Sequence, residues 1–152
     1  MSKHTTMFLH TFYTWLLSNL FHPILFVILS IIRQDYPGFW EQHLLIDAVT
    51  FFACSLVISL PCLLLGWLCL YLIINSPYSA GTKFMLWLMT GPSLVFLEFL
   101  FVLLVMNIME VEIFLFSLPG IAAVGISILI RYRQFEKLNY MPKIDNHETN
   151  LV

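Results

Sequence analysis

Four long apolar stretches constrain the fold of this chain more than any other feature. They run from about residue 6 to 32, 44 to 74, 84 to 106 and 108 to 130. A helix needs about 20 predominantly apolar residues to cross a ~30 Å hydrocarbon core, so each stretch is long enough to span a bilayer. With 60% hydrophobic and only 11% charged residues, the chain could not cover a soluble core with polar surface. The pattern predicts an all-α, multi-pass membrane protein with four transmembrane helices in a bundle.

The chain divides into one predicted membrane domain and a short polar tail. The domain covers residues 1–131, and the tail, residues 132–152, is too short and polar to fold alone. The first apolar stretch is longer than the apolar core of a secretory signal peptide, and no small-residue cleavage site follows it, so we expect it to remain as a span. Because the loops are short as well, no soluble catalytic or sensor domain is expected.

Lysine and arginine residues are distributed unevenly over the predicted topology. The cytoplasmic segments of membrane proteins carry an excess of these residues. One side would hold only Arg33, and the other side would hold the six remaining basic residues: Lys3, Lys83, Arg131, Arg133, Lys137 and Lys143. This bias predicts that both termini are cytoplasmic (N-in/C-in) and that residues 33–43 face outward. The expected location is the cytoplasmic membrane of a bacterium.

Small side chains recur on one face of the second apolar stretch, at alternating spacings of three and four residues. Such a face lets two helix backbones approach closely, which matters because lipid provides no hydrophobic drive between helices. The fourth stretch carries a shorter version. Together they form what we call the small-residue seam: Ser55, Ser59, Cys62 and Gly66, with Ser117, Gly120 and Ala123. The seam is expected to pack inside the bundle, and lining a pore or binding a partner are its alternatives.

One acidic residue lies in the middle of the third stretch. Glu98 interrupts the apolar run LVFLEFLFVLL, where an ionised carboxylate is costly. We expect it to face another helix and to be at least partly protonated at neutral pH, because desolvation penalises the charged form. Gly91 shares its face and would let another helix come close. The first stretch offers a stripe of uncharged polar side chains: Thr11, Thr14, Ser18, Asn19 and His22.

Three roles for Glu98 are compatible with this position. The simplest is structural, with a protonated carboxyl that donates one hydrogen bond to a hydroxyl of the first span or to Ser55 or Ser59. The second is a proton or cation site with His22, since an imidazole and a carboxyl can share a proton. The third is a contact with a partner subunit. An intramembrane acid is by default a functional candidate.

The sequence carries no motif for catalysis or cofactor binding. It has no HExxH, GxSxG or P-loop pattern, and its three cysteines form no CxxC pair. His43 and Asp47, four residues apart, offer ligands for a metal, but carboxylates at a membrane surface are commonly just solvated. We therefore expect no catalytic residue, no metal and no cofactor. A net charge of −2 without a basic cluster argues against a nucleic-acid partner.

These features leave three hypotheses for the function. The first is a non-enzymatic accessory or assembly subunit, or an effector that oligomerises in the membrane, because the seam favours association. The alternative is a small transporter or channel that uses Glu98 and the polar stripe. The third, supported by the fewest features, is a membrane enzyme that uses the outer acidic residues. The expected partners are the lipid bilayer and other membrane subunits or further copies of the chain.

The predicted orientation is testable by cysteine labelling. In a variant that lacks the native cysteines, Gln42→Cys should react with a membrane-impermeant maleimide added to intact cells, because residues 33–43 face outward. Labelling that appears only after the membrane is disrupted would contradict the N-in/C-in orientation.

Overall fold

A computed structural model of the protein describes residues 2–33, 40–107 and 117–140. Within these ranges the chain is helical and contains no strand, which confirms the predicted all-α class. The helices are α1 (Lys3–Arg33), α2 (Trp40–Ile58), α3 (Leu60–Asn75), α4 (Ala80–Met106), α5 (Ser117–Ile130) and α6 (Tyr132–Asn139).

Two of the described helices are long and apolar enough to cross a membrane by themselves. They are α1, over Lys3–Leu29, and α4, over Ala80–Val105. The bent pair α2 and α3 adds a third candidate if the two count as one span. By contrast, α5 has 14 residues, about 21 Å at 1.5 Å per residue. The described residues thus give two or three candidate spans rather than four, and residues 108–116 of the predicted fourth span lie outside them.

The second apolar stretch is broken at Ser59 rather than continuous. The segments Phe52–Ile58 and Leu60–Asn75 meet at an angle of 53°. Pro61, in the first turn of α3, has no backbone N–H, so the carbonyl four residues earlier loses its helical donor and the helix bends. The Ser59 N–H still donates to the Ser55 carbonyl at 2.9 Å. The bend therefore interrupts the helix locally without unwinding it.

The helices α1, α3, α4 and α5 contact one another in cyclic order, and α2 packs against α1 and α3. Large apolar side chains on the outside of this ring are exposed, among them Leu20, Leu64 and Leu97. Leu64 lies opposite the small-residue seam, as its spacing implies. An apolar exterior of this kind is the surface that a helix presents to lipid.

The short helix α6 covers one end of the assembly. Phe135 and Leu138 are each 1% exposed, whereas Arg133, Glu136 and Lys137 are exposed. Burial of one large apolar side chain contributes about 1.5–3 kcal/mol, so two of them anchor a helix of eight residues. They join a buried cluster formed with Met7, Leu70, Ile74, Trp87, Val124 and Ile128.

A glycine sets the distance between α4 and α5. A Cβ atom built at Gly91 would lie 2.6 Å from Ile128 Cδ1 and 3.2 Å from Val124 Cγ2. The close approach expected on the Glu98 face is therefore an approach to α5. Gly125, on α5, has no atom within 4 Å of the equivalent position, which makes it a matched control.

Replacing Gly91 by valine should separate α4 from α5. The added volume meets two buried side chains, and we expect a loss of about 1–3 kcal/mol in the free energy of unfolding. Gly125→Val changes the helix propensity by the same amount as Gly91→Val, but its side chain enters open space. Its free energy of unfolding should therefore not show the loss caused by the clash. The measurement is reversible unfolding in mixed micelles, and equal losses in the two variants would contradict the described packing.

Candidate intramembrane site

A cavity of about 210 Å³ lies between the helices and is lined by residues from α1 through α5. This is many times the space that one water molecule needs. Most of the lining is apolar, but several polar side chains converge on it. They are Thr11, Thr14, Ser18, Asn19, His22, Ser55, Ser59 and Glu98, with the thiols of Cys54 and Cys62 and the indoles of Trp15 and Trp87.

The threonines of the α1 stripe are buried and face the cavity as hydrogen-bond acceptors. Thr11 and Thr14 are 3% and 2% exposed. Thr11 Oγ1 donates to the Met7 carbonyl at 3.1 Å, and Thr14 Oγ1 donates to the His10 carbonyl at 2.8 Å. A hydroxyl has one proton to donate and two lone pairs. With both protons bonded inside α1, these hydroxyls offer only lone pairs to a ligand.

Hydrogen bonds between α1 and the α2–α3 bend form one wall of the cavity. Trp15 Nε1 donates to the Ser59 carbonyl at 3.1 Å and to Ser59 Oγ at 2.9 Å. Asn19 Oδ1 accepts from Ser55 Oγ at 2.9 Å and lies 3.2 Å from Ser59 Oγ. The Ser59 carbonyl also accepts from the Leu63 N–H at 3.2 Å, so the indole is its second donor. The hydroxyl at the bend bonds to both the indole and the amide of α1.

Glu98 enters the cavity from α4 and is half-buried. The Cys62 thiol donates to the Leu94 carbonyl at 3.5 Å and lies beside the Glu98 carboxyl. The carboxyl oxygen Oε1 is buried and has no hydrogen-bond partner among the described residues. No lysine or arginine lines the cavity. One oxygen of Glu98 is therefore open to a ligand.

His22 reaches the same cavity from α1, in contact with α5. A Cβ atom built at Gly120 would lie 3.4 Å from His22 Nε2 and 3.1 Å from Val95 Cγ1. Gly120 therefore provides the room for the imidazole. The two residues predicted as a proton or cation site, Glu98 and His22, are brought to one cavity, and their role remains a prediction.

Most of the small-residue seam also lines this cavity. Ser55, Ser59, Cys62, Gly66 and Gly120 are in its wall, while Ser117 and Ala123 are buried in α5 at 3% and 0% exposure. The seam of the second stretch is therefore used between helices of the same chain.

The predicted metal ligands do not belong to this cavity as described, and some of its residues were not predicted. The side chains of His43 and Asp47 lie outside the described residues, which contain no group of three or more potential metal ligands. The sequence does not identify Cys62 as a neighbour of Glu98, although its place on the seam indicates that it faces inward. Trp87 and the buried His10 do not stand out from their apolar neighbours in the sequence either.

Comparison with known proteins adds no assignment, because no protein-family model, no curated protein and no solved structure matches the chain.

Removing the hydrogen bonds that Asn19 accepts should lower the free energy of unfolding by a measurable amount. Asn19 and Asn75 each donate to the carbonyl four residues earlier, at 3.0 Å. Asn19 accepts two bonds from the α2–α3 bend, whereas Asn75 accepts only one long, exposed bond, from Lys3 at 3.5 Å. Hydrogen bonds between membrane helices contribute about 0.6–1.7 kcal/mol. We expect Asn19→Ala to lower the free energy of unfolding in micelles by that amount more than Asn75→Ala, and equal losses would contradict the role of Asn19.

Proposed function

We propose that the protein is a small, non-enzymatic membrane transporter or channel that binds a proton or another cation at Glu98. The observation that carries the proposal is the unpartnered oxygen of Glu98 in a cavity where four hydroxyl protons are already bonded within the protein, those of Thr11, Thr14, Ser55 and Ser59. Apart from the Trp87 indole N–H, which has no partner among the described residues, the polar groups named here present acceptors, and these attract hydrogen-bond donors and positive charge. Intramembrane acids that face a cavity are typical of ion and proton pathways.

The charge balance of the cavity supports a positive ligand. An ionised Glu98 would have no lysine or arginine beside it in the lining, and a bound cation or proton supplies the missing charge. His22 can take part because a neutral imidazole has both a donor and an acceptor nitrogen. The indole faces of Trp15 and Trp87 also favour cations. Binding at this site accordingly requires neither a cofactor nor a catalytic residue.

The membrane topology that we propose has four spans, with both termini in the cytoplasm of a bacterium. The cyclic contacts of α1, α3, α4 and α5 support a fourth span that ends with α5. The six-to-one distribution of lysine and arginine supports the orientation. In this arrangement Glu98 and His22 lie between the two membrane surfaces.

A second candidate function is an assembly subunit or an oligomerising effector. It is favoured by α2, which lies at the edge of the assembly and exposes Thr50, Ala53 and Val57 on one face. Small side chains at these spacings suit close packing with another membrane helix. The mass of the particle in detergent separates this candidate from a monomeric transporter.

Flux measurements test the main proposal. In liposomes that contain pyranine, with a membrane potential set by potassium and valinomycin, the wild-type protein should conduct protons faster than protein-free vesicles. Glu98→Gln keeps the size of the side chain but removes the titrating group, so it should reduce the flux at least tenfold.

The matched control is Glu136→Gln, since Glu136 is exposed on α6 and outside the cavity. Its flux should equal that of the wild type. A wild-type flux no faster than that of empty vesicles, or equal fluxes for Glu98→Gln and the wild type, would contradict the proposal.

A further inference from the structure

A second, open cleft of about 450 Å³ lies between the first turns of α1 and helix α6. It is separate from the Glu98 cavity and shares no lining residue with it. The lining consists of Thr6, Leu9, His10 and Tyr13 from α1, Arg131 at the junction of α5 and α6, and Gln134, Lys137 and Leu138 from α6.

The cleft concentrates positive charge without an acidic residue in its lining. Arg131 and Lys137 both face it, and the nearest acid along α6, Glu136, is exposed and outside the lining. The Arg131 guanidinium lies over the Tyr13 ring, 5.3 Å from its centre. This cation–π contact holds the guanidinium in place but provides no hydrogen-bond acceptor.

Arg131 is an incompletely satisfied cation. Its Nε is buried and has no hydrogen-bond partner among the described residues. Burial lowers the pKa of Arg131 from its ordinary value, yet a guanidinium remains charged in proteins. A partly desolvated guanidinium is stabilised most by an anion with paired oxygens, such as a carboxylate or a phosphate.

His10 provides a second unsatisfied donor at the inner end of the cleft. It is only 3% exposed, and neither ring nitrogen has a hydrogen-bond partner within the described part of the chain. Its ring packs against Trp87 and Phe135, with centres 6.4 and 6.1 Å apart, so neither neighbour accepts its proton conventionally. A buried polar group without a partner is costly, and a ligand oxygen in the cleft would relieve that cost.

We propose that this cleft binds a phosphate group, either on the head of an anionic phospholipid or free in solution. Arg131 and His10 donate to the phosphate oxygens from the inner side, and Lys137 neutralises charge at the mouth. The position supports this ligand, because Arg131 directly follows Ile130, the last residue of the short apolar helix α5. Basic pockets at that level of a membrane protein bind lipid head groups.

Binding measurements on the full-length protein in neutral detergent test the site and its source of phosphate. The probes are short-chain phosphatidylglycerol and inorganic phosphate, and the readouts are the quenching of tryptophan fluorescence, to which Trp87 beside His10 contributes, and the melting temperature. Binding of phosphatidylglycerol alone identifies a lipid site. Binding of inorganic phosphate, in competition with the lipid, identifies a site for free phosphate.

Two variants locate the binding in the cleft. Arg131→Gln should weaken binding about tenfold, which corresponds to about 1.4 kcal/mol. Arg133→Gln removes the same charge from an exposed position outside the lining and should change affinity less than twofold. Because Arg131 is half-buried, Lys137→Gln provides a variant that leaves the core intact, with an expected loss of about threefold.

The proposal is overturned if neither probe binds the wild-type protein. It is also overturned if Arg133→Gln weakens binding as much as Arg131→Gln and Lys137→Gln do, since the effect would then be that of net charge. These outcomes are independent of proton flux, so they do not depend on the function proposed for Glu98.

Discussion

The hydrogen bonds between α1 and the bend at Ser59 are the interaction on which the rest of the arrangement depends. In lipid, association of helices relies on close packing and on polar contacts, because the surroundings are as apolar as the side chains. Pro61 interrupts the hydrogen-bond pattern of the helix backbone, and Trp15 and Asn19 form hydrogen bonds with Ser59 beside this interruption. The bend is thereby attached to α1. With α1 and α3 fixed in this way, α4 and α5 can close around the space that remains.

Much of the interior could be predicted from periodicity. The spacing of Thr11 and Thr14 along α1 and that of Ser59, Cys62 and Gly66 along the second stretch assign each set to one face, and the structure turns both sets inward. Residues spaced at the 3.6-residue repeat of a helix lie on the same face and therefore share the same environment. The sequence therefore indicated which side chains meet, although their function remains a prediction.

What periodicity could not predict is the relative depth of the helices and the angle between them. Glu98 lies beside the Cys62 thiol rather than at a hydroxyl of Ser55 or Ser59. The axial offset of α3 against α4, which decides this, depends on side-chain packing such as that of Gly66 against Leu94. Pro61 indicates a bend but does not determine its angle. The burial of His10 could not be predicted, because Trp87 and Phe135 surround it and Phe135 belongs to a segment whose sequence indicates a polar tail.

The i to i−4 bonds of Thr11 and Thr14 have a consequence for biogenesis. Both bonds lie within a single helix and form as soon as that helix does, before it meets any neighbour. The oxygen lone pairs that line the cavity are thus already oriented when the segment leaves the translocon, and later association has only to enclose them. Exchange of either threonine for serine preserves this local chemistry, whereas valine, of nearly equal shape, erases it.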